Sequence, residues 1–178
     1  MNRFQTDRLL IRDITTEDLD FLLQLYQKKE NMKFISDGRY LWSKEQLADK
    51  YEKCNKNYPK GFGVFTVILK QTNTIIGEAG LFEIPGDCTK LEVGYILDTK
   101  YWKQGFGTEI CTELIKYSFN KLGMKTLISR MYAENNASVK LSEKCGMKRV
   151  KTGETRDGRT FYEYEILNFR LSGNTSPL

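Results

Sequence analysis

Three short stretches of this 178-residue chain carry groups of the kind that do chemistry. The first is Tyr101 to Glu109, YWKQGFGTE, where a strand-like run gives way to a helix-like one. Gly105 and Gly107 let the backbone approach a ligand closely. The first turn of a helix offers unpaired N–H groups at the positive end of its dipole, and together they cradle a phosphate. Two nucleotide motifs fail here: the dinucleotide fingerprint needs a third glycine where Ile110 stands, and a triphosphate loop needs Gly-Lys-Ser/Thr. The second stretch is Asn135 to Met147, NNASVKLSEKCGM. A short amphipathic helix capped at Asn136 and stopped by Gly146 accounts for most of it, but leaves Asn135 and Ser138, three residues apart, unexplained. The third is Glu92, in an otherwise apolar strand with Gly94 on the same face. That carboxylate either meets solvent on an edge strand or points into a cleft, where partial desolvation raises its pKa toward the range of a general base.

Composition narrows the chemistry. There is no histidine, which excludes Ser-His-Asp and Cys-His nucleophilic sites and His-ligated zinc or haem. Proton transfer must use Glu, Asp, Tyr, Ser, Cys, Lys or water. Cys54, Cys88, Cys111 and Cys145 form no C-x-x-C pair and read as reduced and packed, so no metal is expected. With 28 Lys and Arg against 23 Asp and Glu, the net charge of +5 suits an acidic ligand but also ordinary solubility. No basic run interleaves with aromatics, so no nucleic-acid partner is expected. Neither a membrane span nor a signal-peptide stretch is present, and the expected location is the cytoplasm.

The elements that must position these groups follow from periodicity and caps. The length fits one domain, with a frayed tail from Ser172 to Leu178 after a domain over 1–171. Leu9 to Ile14 reads as the first strand. Capping-box patterns at Thr15/Asp18 and Ser43/Gln46 open two helices, with an aromatic loop, Phe34 to Trp42, between them. Gly63–Leu69, Asn73–Phe82 and Leu91–Leu97 read as strands, with Asp87 in a turn. A helix over Gln104–Leu122 turns Phe106, Ile110, Leu114 and Tyr117 inward. The strand Lys125–Tyr132, the helix Asn136–Cys145, and strands at Lys148–Lys151 and Thr160–Leu167 around Asp157-Gly158 complete a mixed α/β domain on one central sheet.

Taken in this order, TDRLLIRDITTEDLDFL, FGVFTVILKQTNTIIGEAGLF, LEVGYILDTKYWKQGFGTE and AENNASVKLSEKCGM resemble the GNAT superfamily of acetyl-CoA-dependent N-acetyltransferases. The similarity spans nearly the whole chain, and it is closest to the branch of bacterial ribosomal-protein N-terminal acetyltransferases. The resemblance implies a mostly antiparallel α+β sheet flanked by helices, acetyl-CoA as co-substrate, and an amine acceptor that is a protein N-terminus or a small molecule. Family habit admits a homodimer. A polyamine, amino-acid or antibiotic acetyltransferase and a non-catalytic acyl-CoA sensor are the other readings.

Carried over residue by residue, the resemblance assigns acyl-CoA binding to Ile96, Leu97, Trp102, Lys103, Gln104, Gly105, Phe106, Gly107, Thr108 and Asn135, with oxyanion donors in the backbone around Ile96 and Leu97. It makes Glu92 the base or amine-orienting group, directly or through water, and gives the leaving thiolate's hydrogen bond to Ser138. The chain departs from the pattern in four places. Trp102 stands where Gln or Arg is usual, and Lys103 replaces a common glycine, as either a phosphate contact or a solvated lysine. Ser142 occupies the position of a tyrosine acid, and Met147 that of a phenylalanine.

Overall fold

Apolar runs without alternation belong to strands covered on both faces, and VFTVIL and the central part of TIIGEAGLFEI lie in the middle of the sheet. In the computed structural model, which describes residues 1–168, these are β3 (Val64–Leu69) and β4 (Thr74–Ile84). The other strands are β1 (Asn2–Gln5), β2 (Leu9–Asp13), β5 (Asp87–Leu97), β6 (Thr126–Tyr132), β7 (Lys148–Glu154) and β8 (Thr160–Leu167). The helices are α1 (Leu19–Tyr26), α2 (Lys29–Met32), α3 (Lys44–Asn55), α4 (Phe106–Asn120) and α5 (Asn136–Lys144). The eight strands form one sheet in the order β1-β2-β3-β4-β5-β6-β8-β7, antiparallel except for β5 against β6. This is the mixed, largely antiparallel sheet with flanking helices that the sequence leads one to expect. The expected boundary at 171/172 lies outside the described residues.

Each face has its own core. On one, α4 and α5 cover Leu9, Ile11, Leu81, Leu91, Val93 and Leu127 with Phe106, Ile110 and Leu114. On the other, Leu22, Leu25, Tyr26, Leu47 and Tyr51 of α1 and α3 pack over Val64 and Ile96. β5 alternates between them: Leu91 and Val93 face α4, whereas Ile96 faces the α1–α3 side, the side to which the two-residue period also turns Glu92 and Gly94.

The Ser43/Gln46 box forms as expected, the Ser43 Oγ accepting from Gln46 N–H at 3.2 Å. Asp18 accepts the Thr15 N–H at 2.8 Å, but a single 3₁₀ turn, Thr16–Asp18, comes before α1. Several elements differ from expectation, among them three with local reasons. β1 was not foreseen, being four residues without a clear alternation. Asp87 already pairs with Ile84 inside the hairpin, because Pro85 and Gly86 make the turn. α4 starts at Phe106 rather than Gln104, because Gly105 is left-handed (φ 83°) and closes the preceding loop.

Candidate active site

β5 and β6 pair over only three positions, from Lys90 with Thr126 to Glu92 with Ile128. Beyond Glu92, β5 continues to Leu97 paired on its β4 side alone. The wedge between the strands opens on a cavity of about 510 Å³. Of the residues assigned from sequence, Ile96, Leu97, Trp102, Lys103, Gly105, Phe106, Gly107, Thr108, Asn135 and Ser138 all line it. Gln104 and Glu92 do not. Tyr95, Phe34, Ile35, Lys140, Leu141 and Lys144 complete much of the wall.

The strand geometry separates the two backbone groups named for an oxyanion. Asp98 N–H donates to the Ile76 carbonyl at 2.9 Å, and an antiparallel ladder alternates direction at each residue. Ile96 therefore turns its N–H to β4, and Leu97 turns its own away, toward the wedge. The Leu97 carbonyl confirms the direction by accepting the Trp102 indole N–H at 2.8 Å. This contact also gives Trp102 a fixed place despite its exposure.

The loop into α4 is curled by two left-handed residues, Lys103 (φ 60°) and Gly105 (φ 83°). Lysine at such a φ costs about 1 kcal/mol or more, which explains physically why a glycine would be the easier residue at 103. Glu109 N–H closes the first turn on the Gly105 carbonyl at 3.1 Å; the N–H groups of Phe106, Gly107 and Thr108 precede it and have no intrahelical acceptor. Gly107 lines the cavity and also lies close to α5. A Cβ there would lie 2.8 Å from Leu141 Cδ1, so the glycine sets the approach of α4 to α5. Lys103, Lys140 and Lys144 put three cations on the cavity wall. Lys140 and Lys144 were legible as an i, i+4 pair on one helix face but not as cavity residues.

Arg8 holds this loop from outside, and sequence reasoning missed it. Its Nε and Nη2 meet Glu109 at 2.7 and 2.6 Å, its Nη1 donates to the Gln104 carbonyl at 3.0 Å, and its guanidinium lies 4.2 Å from the centre of the Phe106 ring. Thr6 Oγ1 donates to the other Glu109 oxygen. Burial pushes the Glu109 pKa up, but the hydrogen bonds from Thr6 and Arg8 outweigh it and leave the carboxyl below its ordinary value. Gln104 is thus part of the scaffold: its carbonyl accepts from Arg8 and its side-chain amide donates to the Lys100 carbonyl at 2.8 Å.

On α5, the cap is Asn135 rather than Asn136: its Oδ1 accepts from Ser138 N–H at 3.2 Å. That bond explains the Asn135–Ser138 spacing and leaves the Ser138 hydroxyl at the cavity. Tyr95 lines the same cavity, and burial pushes its phenol well above its ordinary pKa. Ser142 is buried, its Oγ donating to Met131 Sδ at 3.9 Å, and is not among the lining residues.

Glu92 occupies neither expected setting completely. It lies on the α1–α3 side of the sheet, its side chain 28% exposed, with Arg130 Nη1 at 3.1 Å. Arg130 Nε binds Glu163 at 2.8 Å. Burial is the chief cause of a Glu92 pKa above the ordinary value, partly offset by Arg130 and helped by Glu163. Beside it, Tyr132 donates to the Ser36 carbonyl at 2.5 Å and ties the tip of β6 to the aromatic loop.

Residues 8–148 match the family model of the acetyltransferase (GNAT) domain. The chain belongs to this family. It is a GNAT N-acetyltransferase. It is similar to the uncharacterised N-acetyltransferase p20 of Bacillus licheniformis, with 29% identity over 97% of this chain and 100% of that one. In fold it is similar to the spermidine N-acetyltransferase of Vibrio cholerae in complex with CoA and spermine (TM-score 0.78, 21% identity, covering 91% of this chain and 96% of that one). It is likewise similar to RimL, a ribosomal L7/L12 alpha-N-protein acetyltransferase in complex with coenzyme A (TM-score 0.82, 14% identity, covering 94% and 98%).

Proposed function

We propose that this N-acetyltransferase moves the acetyl group of acetyl-CoA to the α-amine of a polypeptide N-terminus. The observation that carries the acceptor class is the pairing of the carboxylates on β5 and β8 beside the wedge, together with a cavity lining that holds, among the described residues, a single carboxylate, Glu30. On β5 and β8, Glu92 and Glu163 share Arg130, and Glu165 holds Lys90 at 2.7 Å. A polycation needs unpaired carboxylates to receive its several charges; a singly charged amine does not. The weaker basicity of an α-amine points the same way. At pH 7.5 about a quarter of an α-amine with pKa near 8 is neutral, against about one part in a thousand of an amine with pKa near 10.4.

The cavity residues fit CoA. The unpartnered N–H groups of Phe106–Thr108 suit the pyrophosphate, Lys103, Lys140 and Lys144 suit the remaining phosphate charge, and the apolar wedge beside Tyr95–Leu97 suits the pantetheine arm. Acetyl-CoA supplies a thioester carbonyl open to attack and a thiolate leaving group. The Leu97 N–H donates to the carbonyl oxygen as negative charge develops there. Glu92, raised by burial but outside the cavity wall, takes the amine proton through water. Ser138 donates a hydrogen bond to the departing sulfur.

The test is thiol release from acetyl-CoA with peptides beginning Ser, Ala or Met, alongside polyamines, amino acids and aminoglycosides. Turnover with peptides is the expected result. Turnover with a small amine alone overturns the acceptor and keeps the enzyme class. CoA binding without any turnover favours an acyl-CoA sensor.

A further inference from the structure

Past Glu92, β5 has parted from β6 and keeps the ladder to β4 alone. Leu97, whose N–H is given the oxyanion, is the last residue of that one-sided stretch. The alternation of the ladder turns the Leu97 carbonyl into the wedge together with its N–H. A carbonyl so placed raises two difficulties. Its negative end lies beside the point where negative charge must develop, and the parted strand no longer fixes its direction.

The indole of Trp102 meets both. Its Nε1–H donates to the Leu97 carbonyl at 2.8 Å. The chain returns it to β5 by a short route. A 3₁₀ turn over Thr99–Tyr101 is closed by Tyr101 N–H on the Asp98 carbonyl at 2.8 Å and by Trp102 N–H on the Thr99 carbonyl at 3.2 Å, and left-handed Lys103 (φ 60°) follows. The Leu97–Asp98 peptide is also held at its other end, where Asp98 N–H donates to the Ile76 carbonyl at 2.9 Å. Indole, peptide and Ile76 carbonyl therefore make a row of hydrogen bonds that polarise one another. The Trp102 residue is 45% exposed, so burial of the ring is not what keeps it on the cavity wall.

We infer that Trp102 is the positioning residue of the oxyanion site: its indole N–H, bonded to the Leu97 carbonyl, holds the end of β5 so that the Leu97 N–H is aimed at the thioester oxygen. The inference rests on the role given to Leu97 above. A donor fixed before the reaction needs no reorganisation as charge develops, and that is the source of its effect on rate. The indole transfers no proton and touches no reacting atom. It acts through the peptide backbone.

The test replaces Trp102 by 3-benzothienylalanine, which has the shape of tryptophan with sulfur in place of the N–H. Acetyl-CoA labelled with ¹³C at the thioester carbonyl is bound without acceptor, and its carbonyl stretch is read by infrared difference spectroscopy beside kcat and KM. In the unmodified enzyme the bound carbonyl absorbs at lower frequency than free acetyl-CoA. The replacement is expected to move the band most of the way back and to lower kcat about tenfold with the KM for acetyl-CoA unchanged. A band that is shifted in the unmodified enzyme and unmoved by the replacement overturns the inference and keeps Leu97. A raised KM with band and kcat unmoved makes Trp102 a packing residue and overturns it as well. No shift in the unmodified enzyme overturns the Leu97 reading itself. If the replacement does not fold, Trp102→Gln, which keeps an N–H donor without the ring, is compared with Trp102→Phe, which keeps a ring without the donor. The inference then requires the glutamine variant to hold the band nearer its unmodified position, and equal or better retention by phenylalanine overturns it.

Discussion

Replacing Arg8 by alanine removes a side chain that does not itself line the cavity yet holds the loop before α4 in three ways. It pairs with Glu109, binds the Gln104 carbonyl and lies against Phe106. The guanidinium is 44% exposed, so each contact must be discounted: about 0.2–1 kcal/mol for an exposed ion pair, and about 0.5–1 kcal/mol for an exposed cation–π contact. With the carbonyl hydrogen bond, roughly 1.5–2 kcal/mol is a fair total for contacts that are not independent. Against this stands the left-handed Lys103, at about 1 kcal/mol or more. Without Arg8 the curled loop loses most of its margin, and CoA must re-order it on binding. If the competent fraction falls to about one in ten, apparent affinity falls about tenfold. Calorimetric titration of CoA into Arg8→Ala measures this directly, with Arg8→Lys as the companion. Lysine keeps the charge but not the fork, so it is expected to recover only a minor part of the affinity. Raising the salt from about 0.05 M to 1 M screens the Arg8–Glu109 pair and should narrow the gap between unmodified enzyme and Arg8→Ala. Unchanged CoA affinity in Arg8→Ala refutes the reasoning. Full recovery by lysine would mean that Arg8 acts as a charge toward phosphate and not as a clamp.

Three further outcomes are expected. Glu92→Gln should lower turnover about 10²–10⁴-fold with CoA affinity nearly unchanged, and the unmodified enzyme should lose kcat/KM as the pH falls through the raised Glu92 pKa; a flat acid limb would remove Glu92 as the base. Gly105→Val forces a β-branched residue to φ 83°, where strain rather than lost contacts should weaken CoA binding on the order of tenfold; normal affinity in a folded Gly105→Val protein would count against the cradle. Asp18→Asn concerns stability: Asp18 is buried and accepts from both Arg12 nitrogens at 2.7 Å, from Thr15 N–H and from Thr66 Oγ1. Burial raises its pKa, but these donors lower it overall. Its contribution is therefore complete above the ordinary carboxylate value and lost as the pH falls through the lowered one. Urea unfolding should show Asp18→Asn about 3 kcal/mol less stable at pH 7, with the gap closing in acid; a gap independent of pH would contradict the assignment.

Local information in the sequence determined the elements and most of the cavity wall. Period and caps placed α3, α4, β6 and β8 within a few residues, because those signals act between near neighbours and need no partner. The G-x-G turn and the Asn135–Ser138 spacing marked the cavity for the same reason: a helix start is built from consecutive residues. What the tertiary structure decided lies between elements distant in the chain. The separation of β5 from β6 after Glu92, and hence which of Ile96 and Leu97 turns its N–H to the wedge, depends on pairing register. Arg8 reaching Glu109 across 101 positions, Tyr95 and Ser138 coming to one cavity wall, and Arg130 joining Glu92 to Glu163 are juxtapositions made only when the sheet closes. Glu78 shows the limit most clearly. This carboxylate in the strand TIIGEAGLFEI is buried, held by Tyr26, Tyr51 and Lys50. Desolvation of a charge is tolerated there because α1 and α3 bring it three donors, and no residue within four of Glu78 announces any of them.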